Sequence, residues 1–328
     1  MITAADLLIR PYSGVDDVPD IVRIYNAAAA ADRVEEVWTV EGITAFLAHA
    51  SDHFDPVRDA VVAELDGRAV AMGRVEWVDT RDGRYREYRV FGTVDPEARG
   101  RGIGSALLAA LEERAQGLAA THPRDREPAL MAFAPVGRPG EELLRGAGYE
   151  PARWFIDMVR SDLEGIVEPP LPDGLEIRPV TPDQYETIWR ANREAFRDHW
   201  GGADESLEQL QRILDDPDTD PSLWLIAWDG DEVAGGVWND IYPAENEAHG
   251  FQRGWLGSVF TRRPWRRRGL ASALIGRSLT LLRERGMTSA ILGVDADNPT
   301  GALGRYEAAG FVVHDRFVAL RKPMEEAP

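Results

Sequence analysis

The 328-residue chain has no cysteine. That absence excludes a disulfide framework, a thiol nucleophile and any thiolate metal site, and it fits a reducing compartment. Long apolar runs are missing as well. The opening, MITAADLLIRPYSGVDD, reaches Asp6 almost at once, so neither a secretory signal nor a membrane span is expected, and the expected location is the cytoplasm. Positive charge is in short supply: 37 Lys and Arg stand against 56 Asp and Glu, a formal net charge of −19. Phosphate backbones require a basic footprint, so nucleic acid is not an expected partner. The surplus suits cationic partners, although most such carboxylates only keep a surface hydrated. Nothing calls for a metal. The length allows two domains, each with its own core.

What is present is an internal repeat. Leu7–Pro11 reads LLIRP and Leu175–Pro179 reads LEIRP, and each is followed by a run of helical periodicity, Val18–Ala29 and Tyr185–Arg197. Arg99-Gly100-Arg101-Gly102-Ile103-Gly104 returns as Arg266-Arg267-Arg268-Gly269-Leu270-Ala271, an Arg-x-x-Gly-x-small pattern. Ala147-Gly148-Tyr149 returns as Ala309-Gly310-Phe311. The offsets are 168, 167 and 162 residues, so landmarks in the same order at nearly constant spacing imply a duplicated domain. The proline-rich stretch Glu164–Gly174 cannot lie inside a sheet and reads as the connection. The expected domains are 1–165 and 175–328, joined by a linker over 166–174.

Alternating and β-branched segments predict strands at Asp59–Leu65, Ala69–Val78, Tyr85–Val94, Ala129–Ala134 and a closing strand at Trp154–Arg160 in the first copy. In the second copy they fall at Leu223–Asp229, Glu232–Ile241, Gly254–Thr261, Ala290–Val294 and Arg316–Leu320. Helices are expected at Gly102–Ala115, Glu141–Arg145, Gly269–Glu284 and Gly301–Ala308. Each copy is therefore mixed α/β in an α+β sense, with antiparallel hairpins such as the one turning at Asp229-Gly230-Asp231. The stretch Trp255–Arg277 organises the second copy. A strand enters an arginine-rich glycine turn, and a helix follows whose unpaired N-terminal N–H groups and dipole make an anion cradle.

A strand, this loop and a helix, joined downstream by Asn298, Tyr306 and Gly310-Phe311 on NPTGALGRYEAAGF, resemble the acetyl-CoA pyrophosphate loop and closing segment of the GNAT (Gcn5-related) N-acetyltransferase family. The resemblance covers both copies, in the manner of tandem-GNAT proteins of the mycothiol-synthase type. It implies two tandem GNAT-like domains, each a twisted, mixed but mainly antiparallel sheet flanked by helices. It also implies acetyl-CoA as co-substrate. The backbone of Val259, Phe260 and Thr261 would align pantetheine, while Arg266, Arg267, Arg268, Gly269, Leu270 and Ala271 would hold the phosphates. Gly269 and Ala271 serve helix–sheet packing equally well. In the first copy the corresponding residues are Val94, Arg99, Gly100, Arg101, Gly102 and Gly104. Asn298 suits either ordering a turn or contacting pantetheine.

Amine acetylation needs an uncharged nucleophile, stabilisation of an oxyanion and a proton for the departing thiolate. Tyr306, four residues before Gly310, matches the family's general acid, and a phenol stays protonated at neutral pH. Tyrosines more commonly just pack. The first copy has Leu144 at the same distance from Gly148 and no corresponding asparagine, so the first domain is expected to be non-catalytic. Some relatives begin the strand before the loop with a Glu, whereas here Gly254–Thr261 holds no carboxylate and Trp255 stands in that region. The upstream segment Asn239–His249 reads as a loop whose Asp240, Glu245, Glu247 and His249, with Trp238, are the acceptor-side candidates. His199 reads as structural. The expected function is direct acetyl transfer from acetyl-CoA to the amine of a small molecule. The alternative is a catalytically silent acyl-CoA-binding or regulatory protein.

Overall fold

The computed structural model describes residues 7–297 and 301–324. Contacts divide the chain into two units: residues 1–153, 200–217 and 317–328 form unit 1, and residues 154–199 and 218–316 form unit 2. Both are mixed α/β.

In unit 1 the order is β1 (Leu7–Pro11), α1 (Val18–Asp32), α2 (Val40–Ala48), α3 (Pro56–Asp59), β2 (Ala60–Leu65), β3 (Arg68–Asp79), β4 (Tyr85–Val94), α4 (Ile103–Ala119), β5 (Glu127–Pro135) and α5 (Pro139–Gly146). Strands β1 to β4 form an antiparallel meander, and β5 lies parallel to β4, with Tyr85 opposite Glu127. Leu107 and Leu111 on the buried face of α4 press on the sheet where β3 and β4 carry glycine. A Cβ at Gly73 would come within 2.8 Å of Leu111 Cδ1. Each such leucine contributes roughly 1.5–3 kcal/mol by leaving water.

Unit 2 takes β6 (Glu150–Arg160) from Trp154 onward, then β7 (Glu176–Arg178) and α6 (Tyr185–Ala195). The chain next adds α7 (Leu207–Leu214) to unit 1. It returns to unit 2 with β8 (Leu225–Asp229), β9 (Glu232–Asp240), α8 (Pro243–His249), β10 (Arg253–Thr261), α9 (Leu270–Glu284), β11 (Ser289–Asp295) and α10 (Ala302–Ala308). The last strand, β12 (Val312–Pro323), enters unit 1 at Phe317. Strands β7 to β10 are antiparallel neighbours, and β11 lies parallel to β10. The face of α9 carrying Leu270, Ala273, Leu274, Leu279 and Leu282 is buried in the core of this unit.

The closing strands depart from the sequence expectation. Trp154–Arg160 does form a strand, but it pairs antiparallel with β11 in unit 2, Phe155 opposite Asp295. Phe317–Pro323 instead pairs with β5 in unit 1, Phe317 opposite Pro135. Either strand offers the same alternating apolar face, so its composition does not name its partner. A second departure is α8: the segment expected to be a loop is helical from Pro243, where proline at the first position presets φ and Gly250 closes the helix at φ 68°. No helix among the described residues is long and apolar enough to cross a membrane.

Candidate active site

The cradle at the start of α9 is built by backbone conformation. Arg267 and Gly269 have φ of 63° and 87°, in the left-handed region, and α9 begins at the next residue with no side chain capping it. The first N–H groups of the helix are thus left for an external acceptor. Holding an arginine left-handed costs about 1–2 kcal/mol. Unit 1 repeats the shape: Gly100 and Gly102 have φ of 73° and 85°, and α4 begins at Ile103.

Arg266, expected to hold phosphate, is fixed by the protein itself. Its Nε donates to Thr261 O (3.0 Å), Nη1 to Asp198 Oδ2 (3.0 Å) and Nη2 to Ala195 O (2.9 Å), tying the loop to the end of β10 and the end of α6. Arg99 does the same in unit 1, donating to Val94 O (3.2 Å) and in bidentate fashion to Asp32 (2.6 and 2.8 Å). The repeated arginine is a brace. Arg268 donates to Asp173 O (3.2 Å). Arg267 is exposed on the rim of the cleft, and its side chain makes no hydrogen bond or ion pair with a described residue. Arg101 is likewise exposed in unit 1.

Asp198 receives hydrogen bonds from Arg263 and Arg266, which hold its carboxyl at about 2. An unfolded Asp titrates near 3.9, so this pairing stabilises unit 2 above that pH and is lost as pH falls from there towards 2. Thermal midpoints of wild type and Asp198→Asn are therefore expected to differ at pH 6 and to converge as the pH falls to about 2. A constant difference would remove Asp198 from the brace.

From the cradle a cleft of about 670 Å³ runs along β10. Its walls carry Val259, Phe260, Thr261, Gly269, Leu270 and Ala271, together with Gly257, Ser258, Gly293, Asp295 and Tyr306. The cleft exists because β10 and β11 part. Their last parallel pair is Trp255 with Ile291, beyond which β10 continues to Thr261 bonded only to β9. One backbone edge therefore faces the cleft with its N–H and C=O groups unclaimed by strand pairing. A bulge at Gly257 re-aims Ser258, whose Oγ accepts from Asn192 Nδ2 (2.8 Å). Asn192 is fully buried on α6. Neither was marked by a motif, and only the fold brings them together.

Tyr306, on α10, is 7% exposed and packs edge-on against Phe311 at 6.2 Å. Its hydroxyl makes no hydrogen bond to a described residue. Burial pushes the phenol up to about 12, with Arg305 opposing the shift. The group therefore carries its proton throughout the neutral range while facing the cleft. Leu144, at the matching place in unit 1, is buried among apolar side chains.

The acceptor-side candidates divide. Trp238 is buried, with Trp224 stacked 4.5 Å away on it and Trp189 at 6.1 Å. Glu245 is buried on α8 and accepts from Trp255 Nε1 (3.1 Å). Glu247 and His249 are exposed on the same helix, where His249 stacks on Phe251. None of these four lines the cleft. Asp240 is close to it: a Cβ added at Gly257 would overlap Asp240 Oδ2. His199, read as structural, does line the cleft, its ring 4.4 Å from that of Phe196. Asn298 lies outside the described residues.

Two family models match the chain, one described as the acetyltransferase (GNAT) family over residues 185–311 and one as an acetyltransferase (GNAT) domain over residues 56–133. The chain is 32% identical over 321 residues to the mycothiol acetyltransferase of Geodermatophilus obscurus, spanning 90% of this chain and 99% of that one. It is 34% identical over 233 residues to the mycothiol acetyltransferase of Streptomyces avermitilis, spanning 68% and 67%. Among solved structures it is similar to a GCN5-related N-acetyltransferase from Sphaerobacter thermophilus, with a TM-score of 0.72, 27% identity and coverage of 98% and 97%. In fold alone it is similar to a tandem GNAT protein from the clavulanic acid biosynthesis pathway, with a TM-score of 0.70, 18% identity and coverage of 98% and 100%.

Proposed function

We propose, since the chain belongs to the GNAT acetyltransferase family, that unit 2 transfers the acetyl group of acetyl-CoA directly to the amine of a small molecule. The observation that carries this reading is one cleft joining the anion cradle, the open edge of β10 and the phenol of Tyr306, which bonds to no described residue. Acetyl-CoA supplies the thioester. The amides from Arg267 to Ala271, with the Arg267 side chain, hold the pyrophosphate, and the edge of Val259–Thr261 pairs with pantetheine. The cleft volume falls in the range of sites that enclose a small molecule, and open space around Gly269 leaves the cradle accessible.

Tyr306 is the general acid that protonates the leaving thiolate. Trp255 rather than a carboxylate stands near the start of β10, which holds no Asp or Glu, so the acceptor's proton leaves through another group. Asp240, opposite Trp255 in the sheet and against Gly257, is the acceptor-side carboxylate that fits. Asp240 and Asp295 favour a cationic amine. The name of the relatives, mycothiol acetyltransferase, favours a small acceptor over a protein. The absence of cysteine excludes a cysteine-bound acyl intermediate. We also read unit 1 as non-catalytic and unit 2 as catalytic, in place of the expected bounds 1–165 and 175–328, because Leu144 offers no proton where Tyr306 does.

The test is a panel of small amines incubated with the full chain and acetyl-CoA, following thiol release. Release with one class of amine, and none without amine, is the expected result. Binding of acetyl-CoA with no thiol release across the panel would favour the silent acyl-CoA-binding protein instead.

A further inference from the structure

The two copies differ at the fork where their parallel strands part. In unit 1 the last parallel pair of β4 and β5 is Arg89 with Met131, and two residues further along each strand stand Phe91 and Phe133. In unit 2 the last pair is Trp255 with Ile291, and two residues further stand Gly257 and Gly293. The phenylalanines stack across the gap, ring centroids 6.4 Å apart. Arg74 lies over Phe91 at 3.9 Å and Arg89 over Phe133 at 5.8 Å, which pins the pair. The glycines instead line the cleft together with Tyr306.

Neither glycine is required by its backbone, because neither has φ in the left-handed region. Glycine within a strand weakens it, and such a position marks a bulge or a close approach by something else. Gly257 is the bulge. Gly293 is not part of one, and the nearest atom to a Cβ built there is Asp157 Oδ1 at 3.3 Å, with space beyond. What Gly293 supplies is room.

We propose that Gly293, with Gly257, determines which acyl donors and acceptors unit 2 accepts, by keeping open the fork beside Tyr306 where the thioester end of the donor lies. Phe91 and Phe133 close the equivalent fork of unit 1. The inference rests on the proposed acetyl transfer, because the direction of the donor along the cleft comes from it. A large side chain at 293, on β11, occupies the place of the acyl group and of the incoming amine, yet is no part of the loop between β10 and α9 that holds the phosphates.

The test compares the full chain with Gly293→Phe and Gly293→Ala, using calorimetric titration with CoA and with acetyl-CoA and the thiol-release assay. Gly293→Phe is expected to keep CoA affinity within about threefold, to weaken acetyl-CoA at least about tenfold relative to CoA, and to abolish thiol release. Gly293→Ala is expected to bind acetyl-CoA but to discriminate more strongly than wild type against butyryl-CoA, by about threefold or more. This variant decides the matter if the phenylalanine variant does not fold. Wild-type ratios of acetyl- to free CoA affinity in Gly293→Phe, or an unchanged butyryl preference in Gly293→Ala, would overturn the proposal. These outcomes are read from binding, so they are separate from a wild-type chain that binds acetyl-CoA and acetylates nothing, which would overturn the transfer reaction itself.

Discussion

Replacing Tyr306 by Phe is expected to lower kcat by between about 10² and 10⁴, the range over which a positioned general acid contributes. The substitution removes one oxygen from a ring that is 7% exposed and packed against Phe311, so the wall of the cleft keeps its shape. The hydroxyl bonds to no described residue, so its loss orphans no partner among them. The Kd for acetyl-CoA should stay within about twofold, which separates a lost proton from a lost binding contact. The pH profile supplies a second readout. With the phenol raised to about 12, Tyr306 should impose no alkaline fall in kcat below about pH 10 in wild type. Unchanged turnover in the Phe variant would remove Tyr306 from the mechanism. A parallel loss of acetyl-CoA binding would make it a packing residue.

Arg266→Ala is expected to produce the largest loss of cofactor affinity. The side chain makes three hydrogen bonds, to two backbone carbonyls and a carboxylate, and joins the end of β10, the end of α6 and the turn before α9. Bonds from a charged donor contribute about 1.5–3 kcal/mol each when buried, and this guanidinium is about a quarter exposed, so the total is discounted to roughly 2–4 kcal/mol. Unfolding in urea should show a loss of that size. Because the same loop carries Arg267 at φ 63°, loosening the brace lets a strained backbone relax away from the cradle geometry. Acetyl-CoA should then bind about ten- to a hundredfold more weakly, while Arg266→Lys recovers only part of this, since an ammonium cannot span the three acceptors of the planar fork. Full affinity in Arg266→Ala would show that the loop holds its shape without the arginine.

The contrast between Arg266 and Tyr306 shows how legible the site is in the sequence. Tyr306 was marked by a resemblance, its place four residues before Gly310, and the structure sets it on the wall of the cleft. The recurring arginine was equally visible, yet its role was not. An arginine in a glycine turn reads as a phosphate ligand until its acceptors are seen, and Ala195 and Asp198 lie far away in sequence. Asp32 lies 67 residues before Arg99 and Asp198 lies 68 before Arg266, a near-match available in the repeat itself. The segment before β10 failed for a local reason: polar residues suggested a loop, while proline at its start and glycine after its end delimit a short helix.

By itself the sequence determined the duplication, the mixed α/β class, the two glycine turns and the loss of the phenol from the first copy. These are local matters of hydrophobic period, left-handed backbone and residue identity, which a chain carries whatever it packs against. Tertiary structure alone decided which closing strand completes which unit, because strands with equivalent apolar faces are told apart only by the partners they meet. It also decided that Ser258, Gly257 and Gly293 line one cleft with Tyr306, and that buried Asn192 supports Ser258 from behind it. Their distances in sequence are large, and the parting of two parallel strands brings them together.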